Sequence, residues 1–266
     1  MRELWLDTHC HLSDDHLEEL VEGLGEARVG GVVVVGTDLE SSRSSQLVAR
    51  SLRRHAPDLS VGSTIGVHPH DAQNYDDQTH LVLEQLLAED EEHLIVGVGE
   101  CGLDYFYEHS PREKQRFAFE AQIELARASD RTLVIHTRDA WSETFELLES
   151  RPLPERIVFH CFIGGEDELQ RSLALGAYIS VSGIVTFKNS HELREVVQMI
   201  PRDRIMVETD SPYLTPVPLR GRPNEPRNVA ITGEFIAQLR GVDIETFQEE
   251  TTSNALRAFQ LDSLRR

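Results

Sequence analysis

Two histidines separated by a single residue follow the first apolar segment of the chain. His9 and His11 belong to the stretch DTHCHL, which comes directly after Leu4, Trp5 and Leu6. Because residues i and i+2 of a β-strand point to the same face, the two imidazoles can bind one cation together. A polar turn that happens to contain two histidines explains the same stretch, so the pair alone does not establish a metal site.

Further imidazole and carboxylate groups occur where later apolar segments end. A single histidine at the end of a strand is more often a hydrogen-bonded structural residue than a ligand. Repetition at several strand ends is difficult to explain by packing, and it favours a shared metal site. The residues concerned are His68, Glu100, His136, His160, Glu208 and Asp210.

The candidate ligands can be divided between two cations. Glu100 has two carboxylate oxygens and can bridge both ions, while Asp7 can orient the ligand histidines from behind. Nitrogen and oxygen ligands without thiolate suit Zn²⁺, Mn²⁺, Fe²⁺ or Mg²⁺ and do not choose among them. In this interpretation His9, His11 and Asp210 complete the first site, and His136 and His160 complete the second.

Short apolar or β-branched segments alternate along the chain with segments of helical periodicity. Eight such units in about 250 residues match the size of a (β/α)8 barrel, whose catalytic groups lie at the carboxyl ends of its strands. We therefore predict an α/β fold, a single TIM-barrel domain over residues 1–266, although a doubly wound open sheet has the same periodicity. The predicted strands are 4–7, 32–35, 61–67, 94–98, 132–135, 157–159, 177–181 and 204–207.

Two of the predicted helices begin with capping signals. The helix predicted over 13–28 starts at Ser13, whose hydroxyl can accept from the first turn. The helix predicted over 110–128 begins with Ser110, Pro111 and Glu113, which matches a capping box with proline at the first helical position. Both signals predict a helix that begins at the serine.

Composition restricts the class of protein and its partners. The chain has 26 Lys and Arg against 46 Asp and Glu, which gives a net charge of −20 and disfavours general affinity for nucleic acid. No apolar run approaches the about 18 residues needed to span a membrane, and no signal peptide is apparent, so we predict a cytoplasmic protein. Its three cysteines have no CxxC spacing, which argues against a disulfide framework or a zinc finger. We expect a monomer without membrane contact.

Motifs in matching order along nearly the whole chain resemble those of the TatD-type metal-dependent deoxyribonucleases, which belong to the amidohydrolase-like barrels. The combination of ETDSPYL and TFKN is far more specific than an HxH pair. The motifs are DTHCHL, GVHPHDA (66–72), VGECGLDYFY (98–107), VIHTRDA (134–140), HCFIGG (160–165), SGIVTFKNS (182–190), ETDSPYL (208–214) and VPLRGRPNEPRNV (217–229).

The resemblance implies two divalent metal ions as cofactors, with Zn, Mn or Mg as candidates. It assigns the bridging position to Glu100, and it implies that Glu208 and His68 lie behind the ligands or face the substrate. The implied ligands of the first ion are His9, His11, Glu100 and Asp210, and those of the second are Glu100, His136 and His160.

The expected activity is hydrolysis of phosphodiester bonds in single-stranded DNA or at 3′ ends, as a 3′–5′ exodeoxyribonuclease. Two ions about 3.5–4 Å apart lower the pKa of a shared water and hold the phosphate oxygens. Asp210 would accept the proton of that water, with Glu100 and Glu208 as the other catalytic residues. The candidate substrate contacts are His68, Lys188, Arg138, Arg220 and Arg222 for phosphate, and Tyr105, Phe106 and Tyr213 for bases, against a reading as surface and packing residues.

Two other functions remain open at this point. The same site could cleave an ester or amide, as in a D-aminoacyl-tRNA deacylase, because activated water also attacks a carbonyl carbon. Alternatively, the metals could only stabilise a fold that binds a partner. The ligand set argues against the second alternative, because a structural zinc site normally closes with four ligands and no open position.

Overall fold

The computed structural model describes residues 4–261. Eight strands occur in this part of the chain: β1 (Trp5–Cys10), β2 (Val29–Val35), β3 (Ser60–Ile65), β4 (Ile95–Asp104), β5 (Thr132–Arg138), β6 (Ile157–Phe159), β7 (Tyr178–Val181) and β8 (Ile205–Val207). The α-helices are α1 (Leu17–Glu26), α2 (Leu39–His55), α3 (Asp77–Ala88), α4 (Arg112–Ala128), α5 (Trp141–Glu149), α6 (Glu166–Ala174), α7 (His191–Met199), α8 (Val229–Arg240) and α9 (Ile244–Ala258). Short 3₁₀ helices span Pro69–Asn74, Gly183–Thr186 and Pro226–Asn228.

All eight strands are parallel and pair in sequence order from β1 to β8. The first and last strands are also neighbours: Cys10 and Ser211 form a bridge, and the Asp210 N–H donates to the His9 carbonyl at 2.9 Å. The sheet is therefore a nearly closed barrel with alternating helices, which confirms the predicted fold class. A doubly wound sheet is excluded, because its strand order would reverse.

Several strands are longer than the apolar runs suggested, and this places the candidate ligands inside or directly after them. β1 continues through His9 to Cys10, β4 through Glu100 to Asp104, and β5 through His136 to Arg138. All of these extensions are at the carboxyl ends of parallel strands. The candidate ligands are thereby brought to one end of the barrel.

The inside of the barrel is a separate apolar cluster. Its strand residues are Leu6, Val33, Val35, Val96, Val134, Val158 and Met206. At the amino-terminal ends of the strands this cluster is completed by Ala255, Ala258 and Phe259 of the last helical segment. Hydrogen bonds fix that segment, including Thr132 Oγ1 to the Ala258 carbonyl at 2.5 Å and Asn254 Nδ2 to the Ile205 carbonyl at 2.7 Å. Ala255, Ala258 and Phe259 therefore close the barrel interior at the amino-terminal ends of the strands, and we call them the floor of the barrel.

Both capping predictions are wrong in the same way. Helix α1 begins at Leu17, and the Ser13 hydroxyl donates to Asp15 instead of the helix. Helix α4 begins at Arg112, because the Ser110 hydroxyl donates to the His70 carbonyl at 2.7 Å and accepts from a backbone N–H of the 3₁₀ turn. Ser110 thus fixes the connection after β3, and tertiary contacts outweigh the local capping pattern.

Candidate metal centre

The polar groups at the carboxyl ends of the strands converge in a cleft of about 980 Å³. Glu100, on β4, lies at its base with only 4% of its surface exposed. The side chains around this carboxylate come from five other strands or the residues that directly follow them. The two oxygens of Glu100 face different groups of these side chains.

The first group surrounds Oε2 of Glu100. His9 Nε2 lies 3.3 Å and His11 Nε2 3.9 Å from this oxygen. Oδ1 of Asp210 faces the same two imidazoles, at 3.8 Å from His9 and 3.4 Å from His11. Two imidazoles and two carboxylates therefore point at one volume, as the i, i+2 spacing predicts.

The second group surrounds Oε1 of Glu100. His160 Nε2 lies at 2.9 Å, His136 Nδ1 at 3.0 Å and His68 Nε2 at 3.3 Å. Glu100, His68 and His136 form a group whose donor atoms lie within 4.8 Å of one another, and so do His9, His11 and Glu100. His68 is thus as close to the bridging carboxylate as the histidines predicted to be ligands.

Carboxylates behind the second group orient two of its histidines. Asp104 Oδ2 lies 3.1 Å from His136 Nε2 and 3.0 Å from His70 Nε2. Glu208 Oε1 lies 3.2 Å from His160 Nδ1 and accepts the Cys161 N–H at 2.7 Å. In each pair the far ring nitrogen is held, so the near nitrogen faces Glu100.

Asp7 has a different place from the one expected. Its carboxylate accepts the Thr209 N–H at 2.8 Å, the Thr209 hydroxyl at 2.5 Å and the His9 backbone N–H at 3.3 Å. It contacts the peptide group of His9 and not its imidazole. Asp7 therefore fixes the turn that carries Asp210 against β1, and burial raises its pKa to about 8.

Two ring nitrogens provide a test of whether a metal fits. His9 Nε2 and His160 Nε2 are buried and have no hydrogen-bond partner among residues 4–261, although each is close to a carboxylate oxygen of Glu100. An unpaired buried polar atom is costly, and it is seldom left without a partner. Imidazole and carboxylate atoms that face one point without bonding to each other suit a divalent cation, so the donor set fits the group.

The whole chain is also similar to known proteins. The model of TatD-related DNases matches residues 6–260. The chain belongs to the TatD-related DNase family. It is a metal-dependent hydrolase of that family, as the sequence motifs predicted.

Relatives of this TatD-family chain include proteins of two descriptions. It is 35% identical over 262 residues to the metal-dependent hydrolase YabD of Bacillus subtilis, covering 96% of this chain and 99% of YabD. It is 36% identical over 250 residues to the 3′-5′ ssDNA/RNA exonuclease TatD of Erwinia tasmaniensis, covering 92% and 93%. Among solved structures, the TatD homologue YjjV of Escherichia coli K12 superposes with a TM-score of 0.87 at 26% identity, covering 97% of this chain and 98% of YjjV.

Electrostatics at this TatD-family site divides the histidines: the pKa is lowered for His9 and His68, and nearby carboxylates raise it for His11, His136 and His160. Burial lowers the pKa of His68 to about 4 and also lowers that of His9, so both imidazoles are neutral near neutral pH. Burial would raise the pKa of Glu100, but His160 and His68 beside it hold that pKa well below its usual value. For His160 the effect of burial is outweighed by Glu100 and Glu208, which raise its pKa. Metal binding would displace the proton that these carboxylates stabilise.

The expected substrate contacts are less well gathered than the ligands. Tyr213 lines the cleft with 62% of its surface exposed, and its ring lies 6.2 Å from that of His11. Tyr105 lies outside the lining; its hydroxyl donates to Glu143 and its ring is covered by Arg112 at 4.1 Å. Arg112 thus occupies one face of the Tyr105 ring, and the Tyr105 hydroxyl is held by Glu143.

The predicted phosphate contacts Lys188, Arg220 and Arg222 are exposed and lie outside the cleft lining. Arg220 stacks on Phe187 at 3.9 Å, so its guanidinium is occupied on one face. Arg138, in contrast, lines the cleft. Contact of the first three with a substrate stays a prediction.

Sequence reasoning missed two residues of this cluster, His70 and Asp104. Both carried a signal. His68 and His70 repeat the i, i+2 spacing of His9 and His11, and Asp104 follows Glu100 by four residues, which places both on one face of β4.

Proposed function

We propose that this chain is a two-metal 3′–5′ exodeoxyribonuclease that hydrolyses phosphodiester bonds of single-stranded DNA. The proposal rests mainly on Glu100, whose two carboxylate oxygens face two separate groups of imidazoles. A bridging carboxylate between two such groups suits an in-line displacement that needs two cations. The similarity to a relative named as a 3′-5′ ssDNA/RNA exonuclease supports the same reaction.

The proposed ligands follow the two groups. His9, His11, Glu100 and Asp210 would hold the first ion, and Glu100, His136 and His160 the second, with His68 close enough to join the second or to contact the substrate. When bound, two divalent ions supply an activated water and positive charge for the phosphate oxygens. Zn²⁺, Mn²⁺ and Mg²⁺ remain the candidate ions.

Two further roles, accepting a proton and positioning a ligand histidine, are assigned to carboxylates of the chain. Asp210 faces the cleft more openly than Glu100, with side-chain exposures of 16% and 5%. Its Oδ1 faces the imidazoles, so Oδ2 is the atom we assign to accept the proton of the attacking water. Glu208, fully buried, would hold His160 in place through Nδ1 without touching the substrate.

The negative charge of the protein restricts the nucleic acids that it can bind. A chain with a net charge of −20 repels a long polyanion, and the cleft lining contains the acidic side chains Asp38, Glu40 and Asp71. The attraction for DNA would come from the bound ions and from a few cations. We therefore propose short single strands and 3′ ends as substrates, with no strong binding of duplex DNA.

The decisive experiment uses single-stranded DNA labelled at its 5′ end, with protein reconstituted in Mn²⁺, Mg²⁺ or Zn²⁺. Stepwise shortening from the 3′ end is expected, and Glu100→Ala and Asp210→Ala should abolish it. If two ions bind and no phosphodiester is cleaved, the proposal is wrong. Cleavage of a D-aminoacyl-tRNA ester by the same samples would then assign the site to carbonyl chemistry.

Three further predictions accompany this proposal. Among residues 4–261, no helix is long and apolar enough to cross a membrane. The cytoplasmic location, the monomeric state and the single domain over residues 1–266 stay predictions. Fractionation, light scattering and limited proteolysis are the measurements that address them.

A further inference from the structure

An exposed aromatic cluster stands beside the metal centre, on the loop that follows β4. Phe106 and Tyr107 are 54% and 51% exposed, and their rings meet at right angles with centroids 4.8 Å apart. The ring of His109 is nearly parallel to that of Tyr107, with an interplanar angle of 4°. Half-exposed aromatic rings at the mouth of a cleft are costly to hydrate, and they offer flat faces for a ligand.

Arg138 joins this cluster from the end of β5. Its guanidinium carbon lies 3.9 Å from the ring centre of Phe106 and 4.8 Å from that of Tyr107. Within residues 4–261 its side chain makes no ion pair or hydrogen bond, whereas exposed arginines such as Arg112 and Arg171 pair with glutamates. The guanidinium is therefore positioned by the rings and keeps its donors available.

Arg138 is also the single lysine or arginine in the lining of the cleft, over the described part of the chain. It follows His136 by two residues on the same strand, so the two share a face about 7 Å apart along β5. The spacing refers to the backbone, and the side chain of Arg138 extends from there to the ring of Phe106 at the edge of the cleft. A phosphate next to the one at the metal centre would meet this guanidinium.

The cluster is rigidly connected to the metal centre. Oδ1 of Asp104 accepts the backbone N–H groups of Phe106 at 3.0 Å and Tyr107 at 2.9 Å, while Oδ2 contacts His136. One buried carboxylate therefore fixes both the loop and a candidate ligand. Such support pre-organises a binding site relative to the reacting atoms.

Other approaches to the centre are acidic. Asp38 and Glu40 line the cleft at the start of α2, and Asp71 lines it from the 3₁₀ helix after β3. A neighbouring groove between α1 and residues 224–227 contains Asp15, Glu19, Glu22 and Glu225, and the arginine within it, Arg227, is paired with Glu225. A polyanion is repelled from these surfaces, and the Arg138 side is the approach that attracts it.

We propose that Phe106, Tyr107 and Arg138 form a nucleotide-binding subsite, in which Tyr107 stacks on a base and Arg138 binds the phosphate adjacent to the cleaved one. The subsite rests on the proposed nuclease function and names how its substrate is recognised. Aromatic stacking tolerates any base, so the subsite selects unstacked single strands without selecting a sequence. Duplex ends must unpair before their bases reach it.

The test compares two substrates, a single-stranded oligonucleotide and bis(p-nitrophenyl) phosphate, which has no base or second phosphate. Tyr107→Ala should lower kcat/KM for the oligonucleotide by roughly 5- to 100-fold relative to the small diester, and Tyr107→Phe should restore it. Arg138→Gln should lower the same ratio, and Arg138→Lys should restore it in part. Phe117→Ala, which removes a 50% exposed aromatic ring from α4, is the matched control and should leave both activities unchanged.

A second arm separates stacking from a merely structural role. An abasic nucleotide is moved along the last few positions of the 3′ end. At one position it should slow the wild type as much as Tyr107→Ala does, and it should slow Tyr107→Ala no further.

The subsite would be overturned if Tyr107→Ala and the wild type had the same ratio of kcat/KM for the oligonucleotide to kcat/KM for the small diester. It would also be overturned if the rate losses from Tyr107→Ala and from the abasic nucleotide were fully additive at every position. Failure of the nuclease proposal looks different, because the wild type would then cleave neither phosphodiester.

Discussion

Nε2 of His136 lies 3.1 Å from Oδ2 of Asp104, and the same oxygen lies 3.0 Å from Nε2 of His70. Asp104 is 1% exposed, so water does not compete for these contacts. The carboxylate, the ring it holds and Oε1 of Glu100 form a continuous chain, since His136 Nδ1 lies 3.0 Å from that oxygen. The direction of a candidate ligand is therefore set by a residue that touches no candidate ion.

Replacing the Asp104 carboxylate should selectively weaken the binding of one of the two ions. We expect Asp104→Asn to lower affinity for the second ion by about 10- to 100-fold, because His136 loses the partner that fixes its tautomer and orientation. Calorimetric titration of metal-free protein measures this directly. Asp90→Asn is the control: Asp90 is a buried carboxylate that accepts two backbone N–H groups before β4, and its loss should leave metal affinity unchanged. Equal losses in both variants would mean that general destabilisation is responsible.

Metal removal tests the two-ion assignment by stoichiometry. After chelation and reloading we expect two ions per chain in the wild type, one in Asp210→Ala, one in His136→Ala and none in Glu100→Ala, because within residues 4–261 Glu100 is the carboxylate that turns one oxygen to each group. Elemental analysis of dialysed samples gives the counts. Lys188→Ala serves as the control with two ions, since Lys188 lies outside the cleft lining. A single ion retained by Glu100→Ala would contradict a bridging role.

Gly102 should not tolerate a side chain. Its φ is +138°, and a Cβ there would lie 1.9 Å from the carbonyl oxygen of His136 on the neighbouring strand. We expect Gly102→Ala to cost about 2–4 kcal/mol of unfolding free energy and to shift His136 away from Glu100. Thermal and denaturant unfolding report the first effect and metal content the second. Gly25→Ala, in α1 with nothing within 4 Å of the added carbon, should be neutral or stabilising by about 0.5–1 kcal/mol.

Salt dependence reports how many cations meet the substrate phosphates. With Arg138 as the one arginine or lysine of the described cleft lining, log(kcat/KM) for an oligonucleotide should fall with log[salt] with a slope of about −0.7 to −1.4. The measurement keeps the divalent ion constant while the monovalent salt varies. A slope of about −3 or steeper would mean that outer cations such as Lys188, Arg220 and Arg222 also bind phosphate.

Most of the fold and the candidate ligands could be predicted from the hydrophobic periodicity and from the residue types at the strand ends. His9, His11, Glu100, His136, His160 and Asp210 converge because parallel strands end at the same edge, and this is a property of the pattern alone. Asp104 was missed because Gly99, Glu100 and Gly102 interrupt the apolar run of β4, so the predicted strand ended at residue 98. Those glycines allow neighbouring strands to approach, which only the three-dimensional arrangement reveals.

The helix starts were wrong because of long-range contacts, and the same kind of contact decides which aromatic residues at the rim of the cleft are open to a ligand. Ser110 has the capping pattern, yet its hydroxyl is used by the turn after β3, a contact with residues forty positions away. Tyr105 and Tyr107 are equally plausible in sequence as stacking residues. Only the three-dimensional surroundings separate them: Tyr105 is held by Glu143 outside the cleft lining, whereas Tyr107 is 51% exposed and lines the cleft. Local sequence does not encode such long-range competition.

The floor formed by Ala255, Ala258 and Phe259 has a kinetic consequence. Among residues 4–261 the barrel is filled from below, so in the proposed nuclease reaction a released nucleotide would leave through the opening by which the strand entered. Departure along that shared path would require the shortened strand to back away first. We expect turnover to be distributive, with the enzyme leaving one strand and engaging another between successive cuts.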